Sequence, residues 1–179
     1  MSLALLVCSA LTVAAPWSGS AAGAAEPGPA LLVAVDAQDM GTFDRVTFTF
    51  RSAPTDAIPT IQRAEYVDRP VLEDASGMEI DVTGNAILRI AMFPAATVDL
   101  SVDPPVTTYT GPARIQPNLP SVVDIVKAGE FESVLSWVIG LRSGAATVTA
   151  QVLSDPTRVV VDIPHVAVTA VVAAPSFTG

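Results

Sequence analysis

The chain has 179 residues, with 18 acidic against 9 basic side chains and a net charge of -9. That balance disfavours nucleic acid and anionic lipid as partners, because both are held by basic surfaces. One cysteine excludes an internal disulfide, and one histidine leaves no His or Cys pair to ligate zinc.

Residues 1–25 carry no Asp, Glu, Lys or Arg. Leu3 to Ala15 is an apolar run suited to a signal-peptide core and too short for the ~20 apolar residues of a membrane span. Small residues follow, and Gly23-Ala24-Ala25 permits cleavage before Glu26, with Ala22-Gly23-Ala24 nearly as suitable. No basic residue precedes the run, unlike most leaders. Residues 1–25 are therefore expected to be a signal peptide, and 26–30 (Glu26-Pro27-Gly28-Pro29-Ala30) a linker. Cys8 lies inside the apolar run after Val7, a context that does not support lipid attachment, so lipoprotein anchoring is not expected. The mature chain then has no cysteine and no transmembrane segment. Its expected location is extracytoplasmic, at the cell envelope, and its stability must come from its core.

The 15 prolines and 11 glycines of the whole chain are scattered among β-branched residues, as in all-β domains. Leu31 to Val35 reads as a strand and Gln38 to Thr42 as a turn. Val46, Phe48 and Phe50 then share one face, with Arg45, Thr47, Thr49 and Arg51 on the other. Ile61 to Val67 is the next strand, Glu73 to Gly77 a turn, and Met78 to Val82 a short strand. Ala86 to Phe93 is apolar on both faces apart from Arg89, which predicts a central strand. Pro94 to Pro105 is irregular. Thr107 to Ile115 contains the strand end and turn Tyr109-Thr110-Gly111-Pro112.

Ser121 as a cap, Asp124 three residues on, and Gly129 as a stop predict one short helix near residues 121–128. Phe131 to Leu141 alternates, placing Phe131, Leu135, Trp137, Ile139 and Leu141 on one face. Trp137 is the expected core anchor, with a partner needed for its N–H. Val148, Ala150 and Val152 face in, as do Val159, Val161 and Ile163 after the Ser154-Asp155-Pro156 turn. Pro164 and His165 end the regular part, and residues 165–179 form an edge strand or tail. The expected fold is an antiparallel β-sandwich of eight or nine short strands over residues 31–164, with a β-barrel as the competing architecture.

Catalytic patterns are sparse. His165 is the only candidate imidazole base, and it stands at a strand end. Asp74 to Glu79 lacks calcium-loop spacing, and there is no glycine-rich phosphate loop. Glu130 and Glu132 are better read as solvated charges than as a glycosidase pair. The chain is expected to be non-catalytic and to need no cofactor or metal. Arg45, Arg89 and Arg158 on strands suit either an anion-reading patch or ordinary pairing with Asp44, Asp81, Asp99 or Asp162. Tyr109 beside Arg114 suits stacking on a sugar, or plain turn packing. The binding candidates are Arg45, Arg89, Tyr109 and Arg114.

Four segments together carry a family resemblance. They are Phe43-Asp44-Arg45-Val46-Thr47-Phe48, Tyr109-Thr110-Gly111-Pro112, the run Val122 to Gly140, and Leu153 to Asp162 (LSDPTRVVVD). They resemble the AMIN-like domain of secreted proteins and lipoproteins of actinobacteria, over roughly Leu31 to Ile163. The resemblance implies a β-sandwich that places proteins on the envelope, with peptidoglycan as the suspected ligand and no catalytic residues to carry over. Such domains usually target an attached enzyme or pore; here targeting is expected to act in trans. The functional expectation is an exported, non-catalytic cell-envelope module binding peptidoglycan or another wall component. The alternatives are a module docking on an envelope protein through a strand edge, or a small-molecule carrier using a gap between sheets.

Overall fold

The computed structural model describes residues 26–165; the predicted signal peptide and the tail beyond His165 lie outside the described residues. Fourteen strands are formed among the described residues: β1 (Ala30–Asp39), β2 (Phe43–Phe50), β3 (Thr60–Tyr66), β4 (Val71–Leu72), β5 (Glu79–Ile80), β6 (Ala86–Phe93), β7 (Ala95–Ala96), β8 (Val98–Asp99), β9 (Val106–Thr107), β10 (Arg114–Ile115), β11 (Val122–Phe131), β12 (Val134–Leu141), β13 (Thr149–Leu153) and β14 (Arg158–Pro164). Eight of them have five residues or more. No helix long and apolar enough to cross a membrane occurs among the described residues.

The strands form two five-stranded sheets and two small ribbons. Sheet I has the order β13-β14-β2-β1-β7, and sheet II the order β10-β11-β12-β6-β3; β4-β5 and β8-β9 are the ribbons. All pairings are antiparallel except β1 with β7. The sheets pack face to face, so the architecture is a sandwich and not a barrel. The linker is partly built in: Gly28 exchanges backbone hydrogen bonds with Thr55 and Ala57, and Ala30 opens β1.

Alternation explains the core. In β2 every second residue is buried, and Val46, Phe48 and Phe50 meet Val159, Val161 and Ile163 of β14 and Leu88, Ile90 and Met92 of β6. Trp137 is fully buried, as expected, with ring centroids of Phe48 at 5.8 Å and Tyr109 at 5.7 Å. Its indole N–H has no acceptor among the described residues, against expectation, so packing alone holds the ring. β6 is central between β12 and β3, as predicted. Its outer face adds Ile87 to a second apolar cluster with Val71, Val82, Val126, Ala128 and Val138, roofed by the β4-β5 ribbon.

The predicted helix near residues 121–128 is absent: Val122–Phe131 is the ten-residue strand β11. Its apparent capping residues do other work. The Ser121 N–H donates to Asp44, and the Ser121 hydroxyl to the Pro164 carbonyl. Asp124 pairs with Arg114 and accepts the Thr83 N–H. Gly129 lies at a β-bulge with φ +147°, where an added Cβ would come within 3.0 Å of Asp74. Four β-branched residues, Val122, Val123, Ile125 and Val126, favour the pleated surface on which they pack.

Phe131 to Leu141 is likewise not one strand. Glu132 (φ 49°) and Ser133 (φ 63°) make a two-residue hairpin turn between β11 and β12. Phe131 therefore leaves the set of Leu135, Trp137, Ile139 and Leu141 and is 56% exposed on the opposite face.

Candidate functional site

The outer face of sheet II is roofed only in part. Beyond the β4-β5 ribbon lies an open groove of about 360 Å³ across β3, β6 and β12. Three cross-strand rows build it. The middle row runs Arg63, Ala91, Ser136, Gly129 from β3 to β11. Three small residues in one row recess the floor. On one side, Phe93 of β6 and the paired Phe131 and Val134 of the hairpin form an apolar bank. On the other side stands Arg89, in register with Glu65 of β3 and Val138 of β12.

Arg89 is a fixed strut rather than a free cation. It donates to the Asp74 carboxylate and, at 2.7 Å, to the Leu72 carbonyl. Its Nε is buried without a hydrogen-bond partner among the described residues. Asp74 is itself held, its N–H donating to the Ala128 carbonyl across the Gly129 bulge at 3.0 Å. Gln62, Arg63 and Glu132 complete the rim. A groove with two partly exposed phenyl rings beside amide, guanidinium and carboxylate groups suits a ligand with an apolar face and a polar edge.

The structure does not bring the four predicted binding residues together. Arg45 is on the outer face of sheet I, in a two-pronged pair with Asp162 at 2.7 Å for each bond and 5.4 Å from the Phe43 ring. The Asp162 hydrogen bonds raise the Arg45 guanidinium above its usual range. Tyr109 is buried; its hydroxyl donates to the Pro112 carbonyl at 2.8 Å and its ring lies over Gly111, where a Cβ would sit 2.7 Å from it. Burial, and to a lesser degree Asp36, raises its phenol above the usual range. Arg114 is raised by its hydrogen bonds to the fully buried Asp124 carboxylate. Of the four, only Arg89 lines the groove.

The remaining candidates are also committed. Arg158 donates to the Pro156 carbonyl. Arg51 bridges Asp56 and Asp99, and the Ser101 hydroxyl and Arg51 together hold the Asp99 carboxyl down at about 2. Burial pushes the Glu130 carboxyl up, but hydrogen bonds from Thr97 and Lys127 outweigh it and leave it below the usual range. Glu132 sits apart from these partners, in the turn.

Sequence reasoning missed Phe93, Phe131, Gln62, Arg63, Asp74 and Glu132. One signal was available: Arg89, Ala91 and Phe93 alternate with Leu88, Ile90 and Met92, so the first three share the wet face. Phe131 was not legible in this way, because the β11 bulges and the turn reset its parity.

No curated protein and no solved structure is detectably similar to the chain. A family model for the AMIN-like domain does match, over residues 30–165. That span takes in both sheets, both ribbons and the groove, and the chain belongs to the AMIN-like domain family.

Proposed function

We propose that this domain is an exported, non-catalytic module that binds peptidoglycan or another wall component through the groove on sheet II. AMIN-like domains are generally non-catalytic binding modules associated with the cell envelope, which sets the class of partner. The observation that carries the reading is the bank of Phe93 and Phe131, partly exposed beside a recessed floor of Ala91 and Ser136. A sugar ring offers C–H groups to an aromatic face and hydroxyls to polar groups at its edge. Arg63, Gln62, Ser136 and Glu132 supply those polar groups here. Arg89 acts by fixing the ribbon that ends the groove. Arg45, Tyr109 and Arg114 support the fold around it.

The test is co-sedimentation of purified protein with insoluble peptidoglycan. Saturable recovery in the pellet is expected at low and moderate salt, since the contact is only partly ionic. Full recovery in the supernatant under both conditions rejects the proposal.

A second reading rests on β3. It is one of the two edge strands of sheet II, nearly all exposed, and it borders the groove. An extended segment of an envelope protein adding to this edge would set its side chains toward Arg63. Recovery of protein partners without glycan from an envelope extract, abolished by a proline at Ala64, favours this reading. The carrier reading finds less support, because large side chains such as Phe48, Met92 and Trp137 fill the space between the sheets.

A further inference from the structure

At the opposite margin of the sandwich, the β1-β2 turn meets the end of β14 and the start of β11. Asp44 belongs to the inward-facing set of β2 and its side chain is fully buried. One carboxylate oxygen accepts the N–H groups of Ser121 and Val122, at 2.7 and 2.8 Å. The other faces His165 Nε2 at 2.7 Å. Asp39 Oδ1, which also accepts the Gly41 N–H at 2.6 Å, lies 3.7 Å from the same nitrogen. The three candidate ligand atoms all lie within 4.8 Å of one another.

The charge balance of this cluster is unusual. Among the described residues, neither Asp39 nor Asp44 forms an ion pair with Lys or Arg. The adjacent Arg45 is engaged by Asp162. Two carboxylates, one of them fully buried, share a single imidazole as their only basic partner among the described residues, and a dication held between the three groups offsets both negative charges. We propose that Asp39, Asp44 and His165 form a site for a divalent first-row transition ion, with zinc as its best-suited occupant.

The chemistry selects the ion. Imidazole with carboxylates suits zinc and its neighbours, whereas calcium and magnesium prefer all-oxygen shells. Ligand bonds of about 2.0–2.2 Å in a tetrahedral shell require the His165–Asp44 contact to open by roughly half an ångström or slightly more. The 3.7 Å separation from Asp39 already fits such a shell. The backbone N–H groups on the far oxygen of Asp44 orient its near oxygen, as supporting bonds do at metal sites. Asp39 and His165 are both partly exposed, so water can complete the coordination. Bound there, the ion ties the end of β14 to the β1-β2 turn and the first residues of β11.

The test is zinc titration of purified, chelator-stripped protein by calorimetry, with the imidazole signals followed by NMR. One histidine in the chain makes those signals specific to the site. One zinc per chain, with a shift of the imidazole C–H resonances, is expected. His165→Gln keeps an N–H donor for Asp44, and Asp39→Asn alters only the exposed ligand, so both should fold as judged by circular dichroism. Each is expected to weaken zinc at least ~10-fold. No saturable binding, unshifted imidazole signals, wild-type affinity in either variant, or tighter binding of calcium than zinc overturns the site.

Discussion

The two sheets treat their outer faces differently. On sheet I, Arg45 and Asp162 stand directly opposite in the β2-β14 register and satisfy each other in two bonds. On sheet II, the ribbon covers one half and leaves the other as a groove banked by Phe93 and Phe131. A strand arginine is therefore weak evidence of a ligand site, because a cross-strand carboxylate consumes its hydrogen-bonding capacity. Partly exposed apolar surface beside polar groups is the better sign, because folding has left it without a partner.

The largest expected effect comes from breaking the Arg114–Asp124 pair between β10 and β11 of sheet II. Asp124 is fully buried, holds Arg114 and accepts the Thr83 N–H. Asp124→Ala should cost about 2–4 kcal/mol in urea unfolding, below the full buried-pair penalty because Arg114 is partly exposed. A change under ~1 kcal/mol would show that the pair is screened like a surface bridge.

Arg89→Met comes next. It leaves Asp74 and the Leu72 carbonyl without their donor, so about 1–3 kcal/mol of stability should be lost. The ribbon should loosen with it, seen as faster amide exchange at Asp74, whose N–H donates across to Ala128. Unchanged exchange there would mean the ribbon is held by its apolar cluster alone.

On sheet I the effect should be smaller. A double-mutant cycle through Arg45→Ala and Asp162→Ala is expected to give about 0.2–1 kcal/mol of coupling, decreasing with salt. A salt-insensitive coupling of several kcal/mol would make this pair part of the core instead.

The smallest effect is one of pH. The Asp99 carboxyl is held at about 2, below its usual 3.8, chiefly by the Ser101 hydroxyl and then by Arg51. A depressed folded-state value stabilises the fold above the usual carboxylate range and is lost as pH falls toward 2. Asp99→Asn should flatten the acid limb of the melting curve between about pH 4 and pH 2. An acid limb identical to wild type would assign that loss to other carboxylates.

Much of the fold was legible in the sequence, and for clear reasons. β2 alternates without interruption, so Val46, Phe48 and Phe50 could be set facing the core from period alone, and Val159, Val161 and Ile163 of β14 by the same parity; β6, apolar on both faces, was legible only as a central strand. β11 was not legible. Ser121, Asp124 and Gly129 match a helix cap and stop, yet their partners are Asp44, Arg114 and Asp74, which are distant in sequence. Local chemistry cannot distinguish a cap from a long-range bond. The groove was legible only through Arg89, the one polar residue in a central strand. Its other parts depend on a bulge, a two-residue turn and a ribbon folding back, none of which periodicity records. Asp44 was within reach, since it shares the parity of Val46 and Phe48.

The comparison of the two faces is tested most directly by binding. Phe93→Ala with Phe131→Ala, and separately Arg45→Ala, can be sedimented with insoluble peptidoglycan beside the unaltered protein. Both rings are partly exposed, so the double variant should remain folded. At least ~10-fold weaker recovery is expected for the phenylalanine variant and unchanged recovery for Arg45→Ala. Wild-type recovery of the double variant, or loss confined to Arg45→Ala, would move the binding face off sheet II.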